Sequence, residues 1–209
     1  MNKSITDLAT IIANNNGFND KNLHLAYKKV CDIYNDQEAK NKVICHGDSW
    51  PNNFMFDSSE PPKNCIILDF QITRYASYIL DVLQMIYLCT DRETRNKNEK
   101  ILLTNYHNQL CKTLNNNKIN LNIKNPTIDY IIEEYEDKRI CGAVLAALYY
   151  PIITLSQNTI NKFNNDPEYE KKFMFRENND CVIEEMENDP EYSRRITEAV
   201  QELVDILDK

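Results

Sequence analysis

Two short apolar segments separated by a turn constrain the fold of this 209-residue chain most strongly. Residues 54–56 and 65–68 have the composition of β-strands, and residues 57–64 between them contain two adjacent prolines among turn-forming polar residues. The pattern predicts a β-hairpin. Because a hairpin brings the start of its first strand to the end of its second, we expect Asn53 and Asp69 to lie close together.

Helical periodicity dominates the rest of the chain. Apolar residues recur at helical spacing near the N-terminus and from residue 78 almost to the C-terminus, over residues 5–15, 23–34, 78–89, 93–114, 128–150 and 193–207. The polar residues 158–179 predict a surface loop or a short helix. The expected fold class is therefore α+β and mostly helical, with a small β element embedded among helices.

A polar run lies directly before the first hairpin strand. Residues 43–45 form a short apolar segment that leads into His46-Gly47-Asp48-Ser49-Trp50-Pro51-Asn52-Asn53. A carboxylate such as Asp48 on a tight loop can orient an acceptor hydroxyl and take its proton. Asn53 and Asp69 supply the hard oxygen ligands that Mg²⁺ prefers. The order of these three residues matches the parts needed for phosphoryl transfer from ATP.

The same residues resemble a known superfamily. His46-Gly47-Asp48 with Asn53, followed by Asp69-Phe70-Gln71, resembles the Brenner motif and the metal motif of the aminoglycoside phosphotransferase and choline kinase superfamily. More narrowly, residues 46–56 and 67–88 are similar to the ecdysteroid kinase-like family, also called CHK kinase-like. Residues 189–196 are similar to the C-terminal end of that family. The resemblance covers most of residues 20–209.

The resemblance implies a role for each motif residue. Asp48 would be the catalytic base, and His46 would brace the catalytic loop beside it. Asn53 and Asp69 would hold the cofactors Mg²⁺ and ATP as metal ligands. Asp81 would accept backbone N–H groups of the catalytic loop as structural support. Two further residues fit family positions with supporting roles, Trp50 and Arg74.

The resemblance also implies a domain organisation. The whole chain, residues 1–209, is expected to form one kinase-like C-terminal lobe: leading helices in 1–42, the catalytic and metal-binding loops in 43–72, and a helical subdomain in 73–209. Members of the family carry an N-terminal lobe with a strand lysine and a loop that covers the phosphates. Residues 1–45 contain neither a glycine-rich loop nor a lysine in a strand pattern. We therefore expect a C-terminal lobe with the N-lobe absent.

Three functional interpretations follow from these motifs. The first is an ATP- and Mg²⁺-dependent phosphotransferase that phosphorylates a hydroxyl of a small molecule, such as an ecdysteroid- or choline-like alcohol. The second is a truncated, inactive pseudokinase that acts as a binding protein. The third is one fragment of a longer kinase. The expected partners are the small-molecule alcohol and either a second copy of the chain or a separate N-lobe.

Composition narrows the partners and the compartment. The net charge of −8 and the pI of about 5.0 disfavour nucleic acid as a partner. Seven cysteines without a Cys-x-x-Cys pair are typical of reduced, mostly buried thiols in the cytosol. The N-terminus has no apolar stretch typical of a secretory signal. The longest nearly apolar run, residues 143–155, is shorter than the roughly 20 residues that cross a bilayer. The chain is expected to be cytoplasmic, with no membrane or nucleic-acid partner.

Overall fold

The computed structural model describes residues 3–36, 41–117, 126–175 and 179–209. The helices are α1 Lys3–Asn16, α2 Leu23–Asn35, α3 Ile79–Cys89, α4 Arg92–Asn116, α5 Ile128–Asp137, α6 Arg139–Ile153, α7 Gln157–Asn165, α8 Pro167–Phe175, α9 Asp180–Asn188 and α10 Pro190–Leu207. The strands are β1 Lys42–Cys45, β2 Phe54–Phe56, β3 Cys65–Ile67 and β4 Arg74–Ser77. The expected mostly helical α+β architecture is confirmed.

The chain divides into two compact units. One comprises Met1–Gln37 together with Ile140–Lys209, and the other comprises Glu38–Arg139. Every residue that the sequence assigns to the candidate site lies in the second unit. The interpretation of residues 1–209 as a single kinase-like lobe stays a prediction.

The first unit is a set of helices gathered around α10. Helices α1, α2 and α9 pack against α10, whose apolar stripe includes the fully buried Ile196 and Val200. Asp189 begins α10 by accepting hydrogen bonds from the backbone N–H groups of Glu191 and Tyr192, which satisfies two donors that the helix itself leaves free. The helix thus begins at Pro190, earlier than residue 193, where the apolar periodicity places its start.

The second unit contains two antiparallel pairs of strands. Strand β1 pairs with β4 from Lys42 opposite Ser77 to Cys45 opposite Arg74. Strand β2 pairs with β3, with Phe54 opposite Ile67, as the hairpin prediction requires.

Asp57 organises the hairpin turn. Its carboxylate accepts hydrogen bonds from the Ser59 hydroxyl and from the backbone N–H of Lys63, and these bonds lower the pKa of Asp57 to about 2. The side-chain amide of Asn64 donates a further bond of 2.7 Å to the same carboxylate. The ionised carboxylate of Asp57 therefore holds the residues of the hairpin turn together.

Helix α3 forms the centre of the second unit. It packs against α4, α5 and the 3-10 turn Pro51–Asn53, and most of its residues are buried. On α4, the fully buried Arg95 stacks its guanidinium over Tyr87 of α3, 4.2 Å from the centre of the ring. Arg139 donates to the Tyr87 hydroxyl and pairs with both carboxylate oxygens of Glu99 at 2.6 and 2.8 Å. These contacts fix α3 to its neighbouring helices.

Strand β4 and the break at Lys138 differ from the sequence expectations. Residues 74–77 carry no β-branched residue and were expected within a helical subdomain, yet they form β4 because β1 supplies a partner ladder. The helix expected over 128–150 is two helices, because α5 ends at Lys138, whose ψ of 7° leaves the helical range.

Proline and cysteine positions also depart from expectation. The predicted helix ends at residue 150, but α6 continues through Pro151 to Ile153, and the Pro151 carbonyl accepts a 2.8 Å hydrogen bond from the buried Tyr192 hydroxyl. The sequence predicts a loop or a short helix over residues 158–179, and the described part of this range forms two short helices, α7 and α8, which confirms the helical alternative. Residues 176–178 lie outside the described residues. All seven thiols are free, but only Cys45 and Cys141 are buried, so the expectation of mostly buried thiols is wrong.

In the part of the chain that the structure describes, no single helix is long and apolar enough to cross a membrane. One bent pair, Arg139–Ile153 with Gln157–Asn165, meets the criteria by length and composition alone.

Candidate active site

The candidate site is built on the loop that follows β1. It runs from His46 to Asn53 and ends in the 3-10 turn Pro51–Asn53, which leads into β2. Gly47 adopts a φ of +86°, and a Cβ atom there would lie 2.5 Å from the carbonyl oxygen of Ile72. This position requires a glycine for two reasons, the left-handed backbone and the close approach of two backbone segments.

Asp81, in the first turn of α3, anchors the start of this loop. Its two carboxylate oxygens accept hydrogen bonds from the backbone N–H groups of His46, at 2.6 Å, and Gly47, at 2.9 Å. Bonds to an ionised acceptor are roughly twice as strong as neutral ones. Burial, reinforced by the nearby Asp81 charge, raises the pKa of the adjacent Cys45 thiol to about 11. The loop is thus tied to the most buried helix of its unit.

His46 connects the loop to the segment that carries Asp69. Its Nδ1 accepts a hydrogen bond from the backbone N–H of Asp48 at 3.2 Å, and its Nε2 lies 2.7 Å from the carbonyl oxygen of Leu68. These partners assign the proton to Nε2, which donates to Leu68. The imidazole also meets the Phe70 ring edge-on, with 4.7 Å between centroids. His46 therefore braces the loop against the residues on both sides of Asp69.

Asn53 links the proposed base to the hairpin. Its side-chain nitrogen donates to both the backbone oxygen and Oδ2 of Asp48, each at 2.9 Å. Its backbone oxygen accepts a 2.9 Å bond from the N–H of Leu68, the residue before Asp69. Since Nδ2 faces Asp48, Oδ1 of Asn53 is turned to the opposite side of the amide. The hairpin thus brings Asn53 beside the Asp69 segment, as the sequence predicts.

Asp69 occupies a different environment from Asp48. It has a φ of +60°, a left-handed conformation that aspartate tolerates better than most residues. Asp69 is exposed, as are all residues from 60 to 73, whereas Asp48 is half-buried. The carboxylate accepts hydrogen bonds from the backbone N–H and the side-chain amide of Gln71.

The remaining predicted residues flank the loop. Trp50 is half-buried, and its backbone N–H donates to the carbonyl oxygen of Asp48 at 3.1 Å, just before the 3-10 turn. Arg74 lies opposite Cys45 on β4, and its Nη1 is 3.4 Å from the position that a Cβ on Gly47 would occupy. Both residues therefore border the loop backbone.

Sequence reasoning missed two contributors to this geometry. Gly47 was treated only as part of a motif, although the scarcity of glycine in the chain, three residues in all, was a signal that each one is needed structurally. Gln71 was quoted in the Asp-Phe-Gln motif without a role. Its spacing of two residues from an aspartate in a turn is the signal that it can bond to that side chain.

The oxygen donors at the site suit Mg²⁺ shared with phosphate. Within the described ranges, no group of three or more His, Cys, Asp or Glu side chains is placed to hold a metal ion by itself. Mg²⁺ is usually held by one or two protein ligands together with water and substrate phosphates. The amide oxygen of Asn53, directly before β2, and the carboxylate of Asp69, two residues after β3, are hard donors at the same end of the hairpin, so the residues present fit such an ion.

Exposed apolar side chains lie on both sheets and on the segment that carries Asp69, and we call this set of residues the apolar face. Its members lie on the two sheets and on the Asp69 segment: Ile44 at 79% exposure, Tyr75 at 71%, Phe56 at 62%, Ile66 and Phe70 at 61%, Met55 at 55% and Ile72 at 45%. Isolated apolar residues on a surface are ordinary. Here some of them are cross-strand partners, Ile44 with Tyr75 and Met55 with Ile66.

Comparisons with known proteins agree with these motifs. A small β element with an aspartate loop and a following Asp-Phe-Gln segment indicates the class of kinase-like phosphotransferase domains. A model of the ecdysteroid kinase-like family matches residues 6–119, more than half of the chain and all of the candidate site. The chain belongs to the ecdysteroid kinase-like family, which confirms the resemblance. No curated protein and no solved structure matches it.

Proposed function

We propose that this chain carries the catalytic loop of a small-molecule kinase, which transfers the γ-phosphoryl group of ATP to a hydroxyl of an ecdysteroid- or choline-like alcohol. The observation that carries the proposal is the set of hydrogen bonds made by Asn53. Its side-chain amide donates to Asp48, and its backbone oxygen accepts from the N–H of Leu68. One residue thereby joins the proposed base to the proposed metal segment. Family membership supports a phosphotransferase domain of this kind.

Asp48 has the geometry of a general base. The hydrogen bond from Asn53 occupies its Oδ2, which assigns Oδ1 to the hydroxyl of the acceptor. In the reaction, Asp48 takes the hydroxyl proton as the acceptor oxygen bonds to the γ-phosphorus. The bond between that phosphorus and the bridging oxygen breaks, and ADP leaves with the electron pair. His46 and Asp81 keep the loop in place through this step.

Asn53 and Asp69 would hold the metal ion. When bound, Mg²⁺ supplies charge neutralisation on the β- and γ-phosphate oxygens. The chain contributes the orientation of both ligands: Asn53 through its bonds to Asp48, and Asp69 through the hairpin and Gln71.

We further propose that a second lobe covers the apolar face and completes the nucleotide site. Kinases of this type enclose ATP between two lobes, and the exposed apolar side chains of the two sheets and of the Asp69 segment support such a cover. The lobe can belong to the same protein or to a separate chain, and a second copy of this chain is the alternative occupant. The proposal places the protein in the cytoplasm, where ATP and Mg²⁺ are abundant.

A binding protein without turnover is the second candidate. The exposure of residues 60–73 favours it, because water at an open segment weakens the electrostatic interactions that stabilise a transition state. A fragment of a longer kinase would share this exposure until its other lobe is supplied.

Phosphoryl transfer from radiolabelled ATP to a panel of steroid and amino alcohols tests the proposal. Asp48→Asn should lower kcat about 10²-fold or more, as expected for loss of a general base. Asp129→Asn, an exposed aspartate of α5 in the same unit, is the matched control and should leave kcat unchanged. Transfer that survives in Asp48→Asn would remove Asp48 from the role of base. No transfer by the wild type, with or without an added N-lobe, would favour the binding protein.

A further inference from the structure

The structure assigns Gln71 a role as a positioning residue for the carboxylate of Asp69. Its side-chain nitrogen lies 3.2 Å from Oδ2 of Asp69, and its backbone nitrogen lies 3.4 Å from Oδ1. Among the described residues, these are the hydrogen bonds that reach the Asp69 carboxylate. Each oxygen thus has one donor, and both donors come from the same residue.

Two donors on the two oxygens restrict the rotation of the carboxylate. The terminal torsion of an aspartate is broad and has only a weak preference of its own. A carboxylate on an exposed turn, such as Asp69, would sample many orientations without a partner. Gln71 holds the plane of the group and leaves the remaining lone pairs of both oxygens for a cation.

This inference rests on the proposed function, because it concerns the orientation of a proposed magnesium ligand. Partners that orient a metal-bound side chain typically contribute about 10- to 100-fold to metal affinity. Gln71 is exposed and at the long end of hydrogen-bond distances, so we expect a loss of about 10-fold when its amide is removed. Gln71 acts through Asp69 and is not itself placed on the metal.

Thr73 offers a control within the same turn. Its hydroxyl donates to the carbonyl oxygen of Phe70 at 2.8 Å, and its backbone N–H reaches the same oxygen at 3.3 Å. Thr73→Val removes one hydrogen bond that shapes the turn but none that reaches Asp69. A purely structural role of Gln71 would therefore be matched by Thr73→Val, whereas a positioning role would not.

The test is a titration with Mn²⁺, followed by electron paramagnetic resonance, in the presence of the non-hydrolysable ATP analogue AMP-PNP. The titration of AMP-PNP alone is subtracted. Gln71→Met, which keeps the length of the side chain without a donor, should weaken Mn²⁺ binding about 10-fold. Thr73→Val should remain within about twofold of the wild type, and Asp69→Asn should lose most of the binding. Circular dichroism confirms that each variant is folded.

The outcomes separate this inference from the proposed function. If the wild type binds Mn²⁺ and Asp69→Asn does not, but Gln71→Met binds as well as the wild type, the positioning role is wrong and the metal site stands. Equal losses in Gln71→Met and Thr73→Val would also overturn the positioning role, since the turn alone would explain them. If the wild type itself binds no Mn²⁺ with AMP-PNP, both the inference and the proposed metal site are overturned.

Discussion

The two halves of the candidate site are held in different ways. In the loop from His46 to Asn53, His46, Ser49 and Asn53 are 8%, 6% and 7% exposed, and the backbone is tied to Asp81 on a buried helix. In the segment around Asp69, every residue is exposed and the carboxylate is held only within its own turn. The half proposed to take the proton is therefore preorganised by the fold, while the half proposed to hold the metal is left open.

This difference has a physical reason. A general base must lie within hydrogen-bond distance of the proton that it accepts. Contacts with the surrounding residues hold the base in that position. A magnesium ligand shares the ion with phosphate and water, so its final position depends on the nucleotide as well as on the chain. Exposure of the Asp69 segment is consistent with a surface that becomes covered when the nucleotide site is complete. The following predictions test the contrast between the two halves.

Removal of the Asp81 anchor should have the largest effect. Asp81→Ala leaves the N–H groups of His46 and Gly47 without their charged acceptor, and each such bond contributes about 1.5–3 kcal/mol. We expect the free energy of unfolding to fall by about 4 kcal/mol in a urea titration. Asp81→Asn keeps one acceptor oxygen and should lose about half as much. A loss below about 1 kcal/mol for Asp81→Ala would show that the loop is not anchored through this carboxylate.

The close contact between the two halves is tested by a pair of glycines. Gly47→Ala introduces a Cβ against the carbonyl of Ile72 at a φ of +86°, whereas Gly17→Ala meets no atom within 4 Å at a φ of +71°. The shared backbone strain costs about 1 kcal/mol, and the clash adds about 2 kcal/mol at Gly47 alone. Urea midpoints of the two variants give this difference. Equal losses would mean that the loop and the Ile72 backbone are farther apart than described.

The smallest effect is expected on the apolar face. Ile66→Thr, at a position 61% exposed, should change the free energy of unfolding by no more than about 0.5 kcal/mol. Ile79→Thr, at a fully buried position in α3, should cost about 3 kcal/mol because it leaves a cavity and buries a hydroxyl. Light scattering should also show less self-association for Ile66→Thr if a second copy covers the face. A cost at Ile66 equal to that at Ile79 would contradict the open metal segment.

The parts of the fold that depend on local chemistry could be predicted from the sequence. The hairpin follows from two apolar runs around a turn rich in proline and serine, and it determines the pairing of Asn53 with Leu68. The cap at Asp189 follows from a polar residue before a proline. Both patterns act within a few residues, where composition decides the conformation.

The parts that depend on distant partners could not be predicted. Strand β4 forms only because β1 lies beside it. Residues 74–77 have no periodicity that predicts this pairing. Pro151 lies in the last turn of α6, and its carbonyl accepts a hydrogen bond from the hydroxyl of the distant Tyr192. The exposure of the Asp69 segment likewise could not be predicted, because its apolar sequence is typical of a buried strand. Tertiary context, rather than local preference, decides all three.

Stabilisation by Mg²⁺ and ATP, compared between the wild type and Asp69→Ala, tests most directly whether this open segment is a metal site. At a ligand concentration of 100 times the dissociation constant, the wild type should gain about 2.7 kcal/mol of stability in thermal unfolding. The gain should require both Mg²⁺ and ATP and should disappear in Asp69→Ala. A gain of the same size in Asp69→Ala, or no Mg²⁺-dependent gain in the wild type, would contradict the account.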